Sequence, residues 1–309
     1  MGAREGQDTK LLIPRRVTIE TIFGCNAHCP MCPIDAPTAR KKGMMPMDLF
    51  RKIIDWLAPY REQIQMMDFF CLGEPMLDPK LCERVSYAKA KGFRNVGIST
   101  NVDLLTREKA LAIFESGIDN VILSIDGVRK ETHEAVRPGV RFERVVKNAE
   151  QAIVLRNAGN FKTRFVVRFI RQDLNRSEWQ VYKSFWGARI SRERGDFVTA
   201  YDVHACEKTS LMKDSVLPRG RIEEIERKPC PLISDVLNIL ADGRVVLCAE
   251  DWLHGEYNFG NAGERSPIEL FNSPKFAAIR AVHASGEKNQ FPICRSCTIL
   301  YSSETKEIV

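Results

Sequence analysis

The stretch GCNAHCPMC, residues 24–32, sets Cys25, Cys29 and Cys32 in a C-x3-C-x2-C spacing just after the apolar run VTIETIF. Three thiolates this close can hold three irons of a cubane cluster on one tight loop. Iron–sulfur clusters ordinarily take four cysteines, so a three-cysteine loop implies one iron open to an exogenous ligand. A zinc knuckle is the competing chemistry. It would need a fourth ligand, and His28 lies inside the loop, where it could hardly close the same tetrahedron. A second set, Cys230, Cys248, Cys294 and Cys297, ends in the knuckle CRSC. Four thiolates satisfy a zinc ion or a fully ligated cluster alike.

Between residue 17 and about residue 204, short β-rich runs alternate with stretches whose apolar residues recur at helical spacing. The expected strands are 17–22, 67–71, 96–100, 121–125, 164–170 and 197–203. The expected helices are 47–57, 80–91, 107–115, 129–136 continuing through 142–156, and 177–186. Six such units argue for an α/β fold with a parallel sheet. In barrels of this kind the chemistry sits at the C-terminal strand ends.

The strand ends carry polar and turn-forming residues. The second strand runs into FFCLGEP, with Gly73, Glu74 and Pro75; the third ends in ISTN, with Ser99, Thr100 and Asn101. The fourth ends in LSIDG, with Ser124 and Asp126, and Arg137 follows the next helix. Taken singly, Gly-Glu-Pro is a common turn, and Ser-Thr-Asn and Asp-Gly are ordinary turn and N-cap residues. The sixth, VTAYDVHAC, delivers Asp202, His204 and Cys206, which share one face if the strand alternation persists. Cys71 and Cys82 read as small packing residues.

Beyond Cys206 the chain turns charged and irregular, as a linker with one short helix would. CPLISDVLNILADGRVVLC then reads as strand, Asp242-Gly243 hairpin turn and returning strand, which brings Cys230 beside Cys248. YNFGN and one amphipathic helix, SPIELFNSPKFAAIRAVHA, lead on to CRSC. The 309 residues are 44% hydrophobic and 28% charged, as in an ordinary globular chain. The N-terminus MGAREGQDTK has no secretory core, and no run approaches about 18 apolar residues, so no transmembrane helix is expected. Ten cysteines without a signal point to metal binding in a reducing, cytoplasmic compartment rather than to disulfides. The net charge of +6 is spread along the chain, and no nucleic-acid motif accompanies it.

The cysteine loop, GEP, STN and SIDG in this order resemble the radical S-adenosylmethionine (SAM) superfamily, with Leu72 in place of the first glycine of its Gly-Gly-Glu-Pro motif. The second cysteine set resembles the twitch half of the SPASM extension of that superfamily. The resemblance implies a partial (β/α)6 TIM-like barrel over 17–206, preceded by a segment 1–16. A linker, 207–229, and a small auxiliary-cluster domain, 230–309, would follow. It implies SAM and two [4Fe–4S] clusters as cofactors, with the open iron chelating the amino and carboxylate groups of SAM. Cleavage of SAM then gives a 5′-deoxyadenosyl radical. Gly73, Glu74, Pro75, Asn101, Ser124, Asp126 and Arg137 would contact SAM, and a flavodoxin or ferredoxin would donate electrons.

The cysteine spacing is also similar to that of the aminocyclitol dehydrogenases of aminoglycoside biosynthesis. That similarity implies oxidation at a hydroxyl-bearing carbon of a sugar, aminocyclitol or similar polar small molecule, the auxiliary cluster accepting an electron. Asp202 or His204 would then take the hydroxyl proton. Epimerisation is the alternative, with Cys206 returning a hydrogen atom. Maturation of a ribosomal peptide is a third, although only about sixteen residues precede the first strand, too few for a leader-binding domain. An electron-transfer or redox-sensor protein would explain both cysteine sets but not the ordered strand-end motifs.

Overall fold

The computed structural model describes residues 11–204, 219–295 and 297–309, with backbone alone for 219–222. Its centre is six parallel strands, β1 (Arg16–Ile19), β2 (Met66–Asp68), β3 (Val96–Thr100), β4 (Asn120–Ser124), β5 (Arg164–Arg171) and β6 (Phe197–Asp202). The sequence RFVVRFIR shows why β5 forms. Phe165, Val167 and Phe169 are buried on one face, and Val166, Arg168 and Ile170 stay half-exposed on the other. The strand register carries this division across the sheet. One face is apolar and lies under helices. The other presents Asp68, Ser99, Asn120, Ser124, Arg168 and Tyr201.

The covering helices are α1 (Met47–Leu57), α2 (Leu81–Ala90), α3 (Arg107–Glu115), α4 (Lys130–Val136), α5 (Phe142–Ala158) and α6 (Trp179–Gly187). On α1 the buried residues Phe50, Ile53, Ile54 and Leu57 fall at helical spacing, which turns one stripe to the sheet. The Thr106 side chain accepts a hydrogen bond from Lys109 N and so starts α3. On the far side, Tyr182 of α6 packs its ring 4.5 Å from that of Phe169.

Three departures from the sequence reading have local causes. The expected strand 17–22 divides, because the chain leaves the sheet after Ile19 and Ile22–Phe23 pairs instead with Gly43–Met44. The expected strand 67–71 stops at Asp68. The helix expected to continue from 136 through 142 breaks in two at Pro138, which has no N–H, and Gly139, at φ +91°.

The C-terminal region does not stand apart from this sheet. A helix α7 (Arg219–Arg227) falls in the expected linker. A one-turn helix α8 (Leu232–Asp235) takes the place of the expected strand start and leads into β7 (Val236–Ile239). β7 pairs in parallel with β1, so the hydrogen-bonded sheet runs across the expected boundary. A turn with Gly243 at φ +87° returns the chain as β8 (Arg244–Val246), followed by β9 (Asn258–Asn261). The expected single helix over SPIELFNSPKFAAIRAVHA is two, α9 (Pro267–Phe271) and α10 (Pro274–Ala284). Ser273 caps the second of these, and Pro274 occupies its first turn. After α11 (Ile299–Glu304) the chain closes with β10 (Glu307–Ile308), antiparallel to β6. Both edges of the six-strand sheet are thereby covered by C-terminal residues. Among the described residues no helix is long and apolar enough to cross a membrane.

Arg156 of α5 and Asp196, both fully buried, tie the helical layer to the start of β6. The Asp196 carboxylate accepts from Arg156 at 2.5 and 2.9 Å, from Phe165 N at 2.8 Å and from Ser191 N at 3.0 Å. Arg156→Met would leave that charge buried without its partner, at a cost of about 3–5 kcal/mol. Urea unfolding should register the loss, and a change below about 1 kcal/mol would contradict this role.

Candidate functional site

The loop of Cys25, Cys29 and Cys32 has little secondary structure of its own and is held by its neighbours. Gly24 bridges Gly73 in parallel fashion, and Glu74 N donates to Gly24 O at 2.9 Å. A side chain at position 73 would collide with Ile22 O, so the approach requires glycine there. From the other side His28 N donates to Pro138 O at 2.8 Å. A Cβ at Gly139 would stand 2.7 Å from Asn26 O. Asn101 Nδ2 donates to Asn26 Oδ1 at 2.8 Å. The loops after β1, β2, β3 and α4 thus meet at one place.

The sulfurs face donors. Cys25 Sγ accepts from Ala27 N at 3.3 Å and Asn101 Nδ2 at 3.8 Å, and Cys29 Sγ from Arg137 Nη1 at 3.9 Å. Burial pushes the Cys25 thiol up to about 11 and Cys32 to about 12, and the neighbouring thiols add to both. Cys248 is raised well above the usual thiol range by burial, then by Glu250 and by Cys297, Cys294 and Cys230. Within each set the thiols are near enough to raise one another's pKa. Among the described residues no three His, Cys, Asp or Glu side chains converge on a point that would hold a metal ion.

The strand-end carboxylates turn inward to the protein. Glu74 is 1% exposed. Its Oε1 accepts from Met76 N at 3.0 Å and Thr100 Oγ1 at 2.7 Å, and its Oε2 from Asn101 N at 2.7 Å. A carboxylate offers about four acceptor positions, and three are taken. Burial raises the Glu74 pKa against the pull of these bonds. The side chain thus welds the β2 loop to the end of β3. Asp126, fully buried, accepts from Arg137 Nε at 2.7 Å and Ile170 N at 2.7 Å. The Asp126–Arg137 pair lies behind Cys29 and braces it. Ser124 faces the inner side of the sheet, 3.1 Å from Ser99 through their hydroxyls.

Asp202 corrects an expectation. It is in register with Arg171 and so points to the helix-covered side, whereas Tyr201 takes the inner face. Its Oδ1 accepts from Arg171 and Arg176, each at 2.9 Å. The strand ends at Asp202, so alternation does not carry through to His204. His204 Nε2 lies 2.9 Å from Glu250 Oε1. Burial would lower its pKa, but the Glu250 charge and hydrogen bond outweigh this and hold it above the ordinary histidine value. Cys206 lies outside the described residues. Arg168 and Tyr201 were not singled out from sequence, although the i, i+2 pattern of β5 and β6 could have placed both inside.

Residues 19–162 match the Radical SAM superfamily, and residues 230–298 match the SPASM iron–sulfur cluster-binding domain. A GTP 3′,8-cyclase of Chlorobaculum tepidum is 30% identical over 295 residues, covering 82% of this chain and 84% of the relative. A tungsten-containing aldehyde ferredoxin oxidoreductase cofactor-modifying protein of Pyrococcus furiosus is 37% identical, over 35% of this chain and 30% of its own length. The chain spans only 27% to 40% of four curated relatives that it matches, this one included. The structure of BtrN in complex with AdoMet and 2-DOIA shares the fold at a TM-score of 0.62 and 16% identity, over 92% of this chain and 93% of BtrN.

Anaerobic reconstitution should yield about eight irons and eight sulfides per chain, four for each cluster. Replacing Cys25, Cys29 and Cys32 together by Ala should halve that content and abolish SAM cleavage. Replacing Cys230, Cys248, Cys294 and Cys297 should remove the other half. Four irons with zinc in the unmutated protein would overturn the second cluster. Glu74→Ala should lower thermal stability by about 1–3 kcal/mol per stranded donor. SAM affinity should fall roughly tenfold through the disturbed backbone. Unchanged stability would refute the weld.

Proposed function

The chain belongs to the radical SAM superfamily and carries a SPASM domain, and from that premise we propose that it oxidises a hydroxyl-bearing carbon of a small polar molecule. The observation that carries this reading is the inner face of the sheet, where Ser99, Arg168 and Tyr201 stay half-exposed just below the strand ends that hold the first cysteine loop. A small hydroxylated substrate matches such a lining better than an apolar one does. The likeness in fold and length to BtrN, whose structure holds AdoMet and 2-DOIA, supports a compact substrate without adding a specific one.

When bound, SAM and its cluster would supply hydrogen-atom abstraction, and a cluster at the second cysteine set would supply an electron sink. The chain has to hold these parts and manage a proton. Cys25, Cys29 and Cys32 would ligate the first cluster, with Arg137 and Asn101 donating to their sulfurs. Cys230, Cys248, Cys294 and Cys297 would ligate the second. In the oxidation the carbon gives up a hydrogen atom and one electron, and its hydroxyl gives up a proton. His204 is the better proton acceptor of the two considered. Glu250 occupies Nε2, so the proton would be taken at Nδ1. Asp202, bound by two arginines, is poorly suited to it.

Anaerobic incubation with SAM, a reductant and polyhydroxylated sugars or aminocyclitols should raise 5′-deoxyadenosine above the substrate-free background. The product should be two electrons more oxidised than the substrate and carry no solvent deuterium at the reacting carbon. Deuterium there, with no net oxidation, would replace this reading by epimerisation. A response to peptides alone would replace it by peptide maturation. A base must be unprotonated to act, so the rate should fall as pH drops through the His204 pKa, along a limb displaced above about 6.5. That limb should vanish in His204→Asn. A limb retained there would exclude this residue.

A further inference from the structure

Lys288 is 2% exposed, yet no carboxylate lies within ion-pair distance of it among the described residues. A lysine is almost never buried this far unless paired, because an ammonium taken out of water must be compensated. Its place is set by the turns that lead to the second cysteine set. After α10 the chain turns at Gly286, and Glu287 N donates back to Val282 O at 3.1 Å. Lys288–Gln290 then forms one 3-10 turn, with Phe291 N donating to Lys288 O at 3.0 Å and Cys294 N to Phe291 O at 2.9 Å.

Other polar groups share this side of the site. His283 Nε2 lies 3.5 Å from Cys294 Sγ. A thiolate only accepts, so Nε2 would carry the one proton of a neutral imidazole, and Nδ1, buried without a partner, would carry none. Burial, the larger influence, raises the Cys230 thiol and lowers His283, and the Lys288 charge lowers both. The opposing carboxylate is Glu250, which raises the Cys230 and Cys248 thiols and is itself met by His204. The cation beside Cys230 thus stands without a counter-charge among the described residues. Four thiolates leave an iron–sulfur cluster anionic, and net charge and hydrogen bonds to sulfur set its potential. Such a group is the counter-charge that this lysine lacks.

We propose that Lys288 compensates the anionic cluster of the second cysteine set and raises its reduction potential. The proposal rests on the reading that this cluster is the electron sink. The electron leaves the substrate carbon once its hydrogen atom has gone, and the hydroxyl proton goes to the base. The cluster gains one negative charge, and a fixed cation nearby favours that reduced form. Lys288 acts through the cluster and takes no part in bond breaking.

The test is a redox titration of the reconstituted full chain, followed by electron paramagnetic resonance. Added SAM identifies the signal of the first cluster, so the other signal reports the second. Lys288→Met should lower the reduced-to-oxidised ratio of the second cluster about tenfold at a fixed potential, a midpoint about 59 mV more negative for one electron. The first cluster should not move, as it would if the substitution merely loosened the fold. Lys288→Arg, which keeps the charge, should stay near the parent. Lys306→Met, at an exposed lysine of the same region, should change nothing. Loss of the second cluster's iron in Lys288→Met but not in Lys288→Arg would also support the proposal, because the charge would then be needed to hold the anionic group at all. The proposal is overturned if the ratio in Lys288→Met falls by less than about threefold. It is equally overturned if Lys288→Arg departs from the parent as far as Lys288→Met does. A parent protein with only about four irons per chain would sink the second-cluster reading and this proposal with it. A second cluster whose potential is indifferent to residue 288 sinks this proposal alone.

Discussion

A carboxylate removed from water must be met by donors, and at the rim of this sheet four of them impose that demand. Glu20 takes Arg40 and Ala241 N; Glu74 takes Met76 N, Thr100 and Asn101 N. Asp103 takes Asn26 and Arg144, and Asp126 takes Arg137 and Ile170 N. Each carboxylate draws its donors from segments far apart in the chain. The first cysteine loop sits among them with almost no regular structure. Its shape is therefore imposed by its surroundings. The two glycines at 73 and 139 then let the neighbouring backbones close in.

This arrangement separates two jobs that one motif seems to combine. The Gly-Glu-Pro turn looks from sequence like a ligand-binding carboxylate with flanking backbone. In the fold the carboxylate braces the end of β3, and the Glu74 N–H ties the turn to Gly24. The same holds for Asp126 and Arg137, which satisfy each other behind Cys29. Glu74, Asp126 and Arg137 thus also brace the loops around the first cysteine set.

The cysteine sets, the strand order and the helices over 47–57 and 107–115 were legible because each rests on local spacing: thiol intervals, alternation, or an apolar stripe. The breaks at Pro138 and Pro274 were missed because apolar periodicity was followed across them, although each proline was a local signal of a break. What could not be read is what depends on distant partners. Nothing in VLNI announces that it will lie beside RVTI, and nothing in Asp202 reveals that Arg171 and Arg176 wait for it. Arg168 escaped notice because an arginine in a strand reads as an outward residue. Only a sheet with a polar concave side makes it an inward one.

The pairing of β7 with β1 and of β10 with β6 also fixes an order of events during synthesis. Until residue 239 has been made, β1 has one flank of unsatisfied N–H and C=O groups, and β6 waits for residues 307–308. Open strand flanks of this kind invite pairing with other molecules. Between completion of β6 and arrival of residues 236–239 and 307–308, both flanks of the six-strand sheet stand open to such pairing. The segment that carries the second cysteine set doubles as the seal on both flanks.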